Sequence, residues 1–142
     1  MTIRVLLVDD EEEFIETLAQ RLQIRDFEIT TACNGKEALD RLEDLDVDLV
    51  VLDVQMPGMG GVEILQKIKE LKPLVEVILL TGHATVETAI QGMKLGAFDY
   101  LIKPAETEDL VDKIQKAHVR KAEQEERIRK AEINGIVKRR GW

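Results

Sequence analysis

Cysteine is almost missing from this chain. Cys33 stands alone, so no internal disulfide and no cysteine-built metal cluster can form, which fits a reducing cytoplasm. Cys33 falls at the apolar end of an expected strand and reads as buried filler. Aromatic residues make up only 4%, so the core must be aliphatic, which favours α/β layering. No apolar run approaches the roughly 20 residues that a membrane-spanning helix needs. Met1-Thr2-Ile3-Arg4 enters an expected strand at once, without the charge and cleavage pattern of a signal peptide. Positive charge is scarce over most of the chain. Residues 119–142 hold eight Lys and Arg against four Glu, so the overall −8 leaves −12 on residues 1–118. An acidic surface of that kind argues against nucleic-acid binding. The basic Lys138-Arg139-Arg140 end reads as a solvated tail.

What the chain does have is aliphatic residues in short runs. With 142 residues and 44% hydrophobic side chains, it suits one domain with a real core. Strands are expected at about 3–8, 27–32, 48–52, 76–80 and 98–102. Helices are expected at about 13–24, 35–44, 61–71, 85–95 and from 106 onward. Ile15, Leu18, Ala19 and Leu22 form one helical stripe, and Leu65, Ile68 and Leu71 another that stops before Pro73. Five such βα units imply a doubly wound, five-stranded parallel sheet with helices on both faces and right-handed crossovers. The folded body is expected at 1–118 and a charged helical extension or tail at 119–142. In that extension Glu123 with Arg127, and Glu125 with Arg129, are favourable i,i+4 pairs, and Gly135 is expected to end the helix. Two readings of it stay open: a solvated extension that frays, and a linker that pairs through Ile128, Ala131 and Ile133.

Charged residues sit where the apolar runs end. Asp9 and Asp10 follow the run 3–8, Asp53 follows Leu49-Val50-Val51-Leu52, and Lys103 follows Tyr100-Leu101-Ile102. In parallel sheets ligands bind outside the carboxyl ends of the strands, so three carboxylates and one amine are expected at one edge. A buried Asp9-Asp10 pair needs a cation or shifted protons. Three carboxylates suit Mg²⁺, which prefers oxygen ligands, and Lys103 can hold a phosphoryl oxygen as a point charge. Thr81 closes the fourth run with Gly82 beside it, offering a hydroxyl and room for a phosphoryl group. Taken singly, each residue could be a helix cap or a strand end; five matched residues at four strand ends are hard to explain that way.

The segments Val8-Asp9-Asp10, Leu52-Asp53-Val54-Gln55-Met56-Pro57-Gly58, Leu80-Thr81-Gly82-His83 and Tyr100-Leu101-Ile102-Lys103-Pro104 resemble those of receiver domains of bacterial two-component response regulators. The resemblance covers about residues 1–118. The stretch from Thr81 to Pro104 most resembles the nitrogen-regulatory class, whose receivers usually precede a nucleotide-driven transcription activator. The resemblance implies a flavodoxin-like receiver fold in which Asp53 accepts a phosphoryl group from a sensor histidine kinase. It implies Mg²⁺ bound directly by Asp10, Asp53 and the backbone carbonyl of Gln55, with Asp9 acting through water. Lys103 would pair with Asp53 and then with the phosphoryl group, Thr81 and Tyr100 would switch inward, and Lys103-Pro104 would be cis. Gln55 and His83 would tune the acyl phosphate's lifetime. The chain would be no enzyme beyond assisting its own phosphorylation and dephosphorylation. It would signal a downstream protein through its fourth helix, fifth strand and fifth helix. Homodimerisation through that face is a further expectation, resting on apolar contacts such as Ile90, Met93, Ile128 and Ile133 or on cross-pairing between the tail's basic residues and the acidic core.

Two readings from other classes compete. A haloacid-dehalogenase-type phosphatase also uses a strand-end Asp and Mg²⁺, but it needs a second acid two residues later, where Gln55 stands. A flavodoxin-like electron carrier needs a hydroxyl-rich phosphate loop, and Asp9-Asp10-Glu11-Glu12-Glu13 would repel the phosphate of FMN.

Overall fold

A computed structural model describes residues 2–56, 58–82 and 85–139. Ten elements alternate along the chain: β1 (Arg4–Val8), α1 (Glu12–Ile24), β2 (Glu28–Ala32), α2 (Gly35–Asp44), β3 (Leu49–Asp53), α3 (Gly61–Leu71), β4 (Glu76–Thr81), α4 (Val86–Lys94), β5 (Asp99–Ile102) and α5 (Thr107–Arg139). The strands form one parallel sheet in the order β2-β1-β3-β4-β5. The expected doubly wound architecture is what the chain adopts.

Alternation along the strands divides the core in two, because successive side chains point to opposite faces. Leu6, Val8, Val50, Leu52, Val77 and Leu79 meet Ala38, Leu42, Ile64, Leu65, Ile68 and Ala89 from α2, α3 and α4. Val5, Leu7, Leu49, Val51, Ile78 and Leu80 meet Ile15, Ala19, Leu22, Leu110, Ile114 and Ala117 from α1 and α5. β3 and β4 are buried along their whole lengths, whereas the edge strands β2 and β5 are only half covered. This explains why β3 and β4 read as continuous apolar runs and β2, with Thr30 and Thr31, does not.

The direction of the chain reverses beside β1, so β1 and β3 splay their following loops apart and open a crevice at their carboxyl ends. The loop after β3 is pinned back at Gly61. Its N–H donates to the Val54 carbonyl at 3.2 Å, and a Cβ there would lie 2.7 Å from the Val54 backbone. Only glycine allows this approach, which returns the loop to the strand and holds the residues after Asp53 over the crevice.

Four local expectations are corrected. Leu71, at the end of the α3 stripe, is exposed, because the helix has already run past the sheet. Cys33 lies just beyond β2 and is half-buried rather than core filler. Gly135 does not end α5, which continues to Arg139; one glycine costs a helix only about 1 kcal/mol. The expected Glu123–Arg127 pair forms, at 4.0 Å, but Glu125 pairs with Lys121 and Arg129 with Glu126.

The extension is also tied to the body beyond residue 118. Lys121 reaches the buried Asp48 at 3.5 Å, and Arg120 reaches the buried Glu76 at 3.6 Å. Farther out, Ile128 and Ile133 are 45% and 47% exposed, so α5 leaves the body with an apolar fringe open to solvent. No helix among the described residues is long and apolar enough to cross a membrane.

Candidate functional site

The carboxyl ends of β1, β3, β4 and β5 bring the site together. Parallel pairing fixes the heights: Val8 lies beside Leu52, Asp53 beside Leu80, and Thr81 beside Ile102. Backbone bonds carry that register past the strand ends, from Asp9 N–H to the Ala32 carbonyl, Val54 N–H to the Leu80 carbonyl, and Lys103 N–H to the Thr81 carbonyl at 2.7 Å. The Lys103-Pro104 bond is cis.

Carboxylate oxygens of Asp9, Asp10 and Asp53 lie within 4.8 Å of one another. Burial differs among them. Asp9 and Asp53 are buried, whereas Asp10 is exposed, which corrects the expectation of a buried Asp9-Asp10 pair. Consecutive residues at a strand end face opposite ways, so Asp9 points back into the protein and Asp10 toward solvent. A cleft of about 540 Å³ opens over the group, lined by Asp10, Glu11, Asp53, Gln55, Met56, Gly82 and Lys103.

Lys103 is the cation reaching this group. Its Nζ donates to Asp9 Oδ2 at 2.7 Å and lies 3.8 Å from both Asp53 Oδ2 and Glu11 Oε1. It also sits 4.4 Å above the centre of the Phe14 ring, whose negative face adds to its hold. Burial alone would lower the pKa of Lys103, but Asp9, Asp53 and Glu11 carry it above the ordinary lysine value. The lysine therefore stays charged, and it is closer to Asp9 than to Asp53. Asp9 Oδ1 meanwhile accepts from the Glu11 N–H at 2.9 Å, so both of its oxygens are engaged. Asp53, among the described residues, accepts only from the Gln55 N–H, at 3.2 Å, on its Oδ1.

The result is an under-neutralised pocket. Burial first, and then the charge of Asp9, push the pKa of Asp53 up to about 6 against an ordinary 3.8. Such a carboxylate favours whatever brings it positive charge. The donor set is all oxygen, part buried and part open to water, which fits Mg²⁺.

The remaining expected residues are placed as follows. Thr81 closes β4, fully buried, and its hydroxyl is bonded to the Thr85 hydroxyl. Tyr100 is half-buried on β5 and packs against the core beside α4. Gln55 is exposed at the cleft wall. His83 lies outside the described residues. Sequence reasoning passed over Phe14, Glu11 and Met56. Phe14 had a signal, since it follows Asp10 by four residues on the start of α1 and so falls on the site's side.

The fold and this edge of the sheet define a class, and the comparisons agree. Residues 5–115 match the response regulator receiver domain, and the chain belongs to that family. The phosphatase and electron-carrier readings give way to it. The chain is 38% identical over 114 residues to the regulatory protein AtoC of Escherichia coli, covering 80% of this chain and 25% of that one. It is 40% identical over 117 residues to a putative NtrX-like response regulator of Rickettsia bellii, covering 81% and 24%. It thus spans about a quarter of the length of these curated relatives. Among solved structures, a response regulator receiver domain protein from Clostridium thermocellum superposes with a TM-score of 0.82 at 37% identity, over 84% of this chain and 97% of that one. NtrX from Brucella abortus in complex with ADP gives 0.84 at 30% identity, over 89% and 29%. The expected kinship with the nitrogen-regulatory class holds in these relatives.

Proposed function

We propose that this receiver accepts a phosphoryl group on Asp53 from the phosphohistidine of a sensor histidine kinase. A carboxylate oxygen of Asp53 attacks phosphorus, the phosphorus–nitrogen bond breaks, and the imidazole leaves with the electron pair and takes up a proton. The product is an acyl phosphate. The observation that carries this reading is the clustering of Asp9, Asp10 and Asp53 in an open cleft beside Lys103, with the buried Asp53 carboxyl pushed up to about 6.

Asp10, Asp53 and the backbone carbonyl of Gln55 would hold Mg²⁺ directly, with Asp9 acting through water. Bound there, Mg²⁺ supplies positive charge to the oxygens of the transferring group. Asp9 keeps Lys103 in place, and Lys103 needs only a small shift to meet an oxygen on Asp53. That Asp9 is already occupied by Lys103 and the Glu11 N–H favours its indirect role. Because phosphoryl transfer has a loose transition state, positioning and charge suffice, and the chain needs no further catalytic group. On this reading it is not an enzyme; it assists only its own phosphorylation and dephosphorylation, with His83 and the exposed Gln55 as tuning residues.

Thr81 and Tyr100 lie on either side of α4 and would move inward, changing the α4–β5–α5 surface that a downstream protein reads. Ile90 and Leu95 are exposed on that side, and pairing of two copies there is the second outcome this surface supports. The relatives' longer chains support a receiver that works within a longer transcription regulator; a stand-alone relay protein in the cytoplasm is the other form. The deciding experiment is incubation with a small-molecule phosphodonor and Mg²⁺. Mass spectrometry should show one added phosphoryl group in the wild type and none in Asp53→Asn. Gain of the group by that variant at the wild-type rate would end the assignment.

A further inference from the structure

Thr81 is completely buried, so its hydroxyl must find a partner inside the protein. It finds two in the loop leading to α4. The Thr81 and Thr85 hydroxyls are bonded to each other, and each lies 3.1 Å from the Gly82 carbonyl oxygen. Two hydroxyls carry two protons. One serves the carbonyl and the other joins the pair, so the three groups satisfy one another. Among the described residues, no hydrogen bond links Thr81 to Asp53.

From this geometry we propose that Thr85 is a positioning residue: it holds Thr81 turned to the α4 loop and sets how readily Thr81 engages a phosphoryl oxygen. The inference rests on the reading of Asp53 as phosphoacceptor and adds to it a specific competitor. Thr81 has one hydroxyl proton, which this arrangement directs to Thr85 or to the Gly82 carbonyl, and it must leave them to donate to a phosphoryl oxygen. Its bond is exchanged rather than lost, which makes the threonine a two-position element instead of a freely swinging side chain. The exchange also has an address. Thr85 immediately precedes α4, and no side chain caps that end of the helix. Its hydroxyl is held by Thr81 and Gly82 instead of by the helix's first N–H groups, so release of Thr81 is felt first at the start of α4.

Valine at 85 keeps the branched shape and removes the hydroxyl, whereas serine keeps the hydroxyl. The test titrates the full chain with beryllofluoride, which serves as the phosphoryl mimic, and Mg²⁺, by calorimetry. Thr85→Val should bind the mimic about two- to tenfold more tightly than wild type, as expected for removing one competing hydrogen bond. Thr85→Ser should stay within about twofold of wild type. In a Thr81→Ala background Thr85→Val should change nothing, because the competition has lost its object. Unchanged or weaker binding by Thr85→Val, or the same gain with Thr81 absent, overturns the proposal. Amide exchange of residues 82–87 in the metal-free protein provides a readout that needs no site chemistry. It should quicken in Thr85→Val and not in Thr85→Ser, and no change in the valine variant also overturns the proposal. Failure of every form, wild type included, to bind the mimic while that exchange responds would count against Asp53 and leave the threonine pair standing.

Discussion

The two ends of the same sheet both bury carboxylates, and they treat them in opposite ways. At the amino ends of β3 and β4, Asp48 and Glu76 are as buried as Asp9 and Asp53 are at the carboxyl ends. Asp48 is met by the backbone N–H and guanidinium of Arg4 and by Lys121. Glu76 lies between Lys69, at 3.7 Å, and Arg120, at 3.6 Å. Four cations thus serve two acids. Opposite them, Lys103 alone among the described residues serves Asp9 and Asp53. The proton affinities of Asp48 and Asp53 follow. Burial would raise the pKa of Asp48, but its bonds to Arg4 and the nearby charge of Lys121 carry it below the ordinary carboxylate value. Burial and Asp9 carry Asp53 the other way, to about 6. A buried acid with its charges matched belongs to the scaffold. One left short of positive charge favours a cation brought from outside.

Breaking the matched end should have the largest effect on stability. Asp48→Asn leaves Arg4 and Lys121 facing a neutral amide, and is expected to destabilise the protein by about 3 kcal/mol in urea unfolding. The corresponding change at the other end should have the opposite sign. Without metal at pH 7, Asp53→Asn removes a charge whose burial costs up to about 3 kcal/mol by its shift. A net stabilisation of about 1–2 kcal/mol is expected, even as phosphorylation is lost. Equal destabilisation by the two variants would erase the contrast.

The same contrast should appear against pH. Between pH 3.8 and about 6, native Asp53 keeps a proton that the unfolded chain has already released. Stability of the metal-free protein therefore falls as pH rises through that window and levels off above it. For Asp48 the sign reverses: its contribution is present above 3.8 and is lost as pH falls further. Urea midpoints from pH 4 to 8 should show the falling limb in the wild type and not in Asp53→Asn.

Two smaller effects sharpen the comparison. Mg²⁺ at tenfold over its dissociation constant should stabilise the wild type by about 1.4 kcal/mol, seen as a raised thermal midpoint. Asp53→Asn should respond less, and a shift as large as the wild type's would place the metal elsewhere. Arg120→Ala should cost no more than about 1 kcal/mol, because Arg120 is half exposed and Glu76 keeps Lys69. Its main consequence should be faster amide exchange in α5 beyond residue 118.

Much of this was legible in the order of residues. Strand-end Asp9, Asp10, Asp53, Thr81 and Lys103 were found because a parallel sheet sends every strand's carboxyl end to one edge, so position along the chain maps directly onto position in space. Other features were not legible. Nothing in the run Glu123 to Arg129 shows that Glu125 turns to Lys121 instead of Arg129, since both lie four residues away and only Lys121 is held in place by Asp48. Asp10's exposure could not be read from its neighbour Asp9. Nor could Glu76 and Arg120, 44 residues apart, be paired without knowing how α5 crosses the sheet.

The sequence alone therefore determined the βα alternation, the aliphatic core, the acidic body and the kinds of group meeting at the carboxyl edge. These depend on local periodicity and on the fixed polarity of a parallel strand. Tertiary structure alone decided how charge is shared: that Lys103 lies nearest Asp9, that Thr81 is held by Thr85, and that the amino edge is neutralised while the carboxyl edge is not. Those outcomes depend on distances of a few ångströms between segments far apart in the chain. Electrostatic and hydrogen-bond energies change sharply over that range, while sequence spacing carries no record of it.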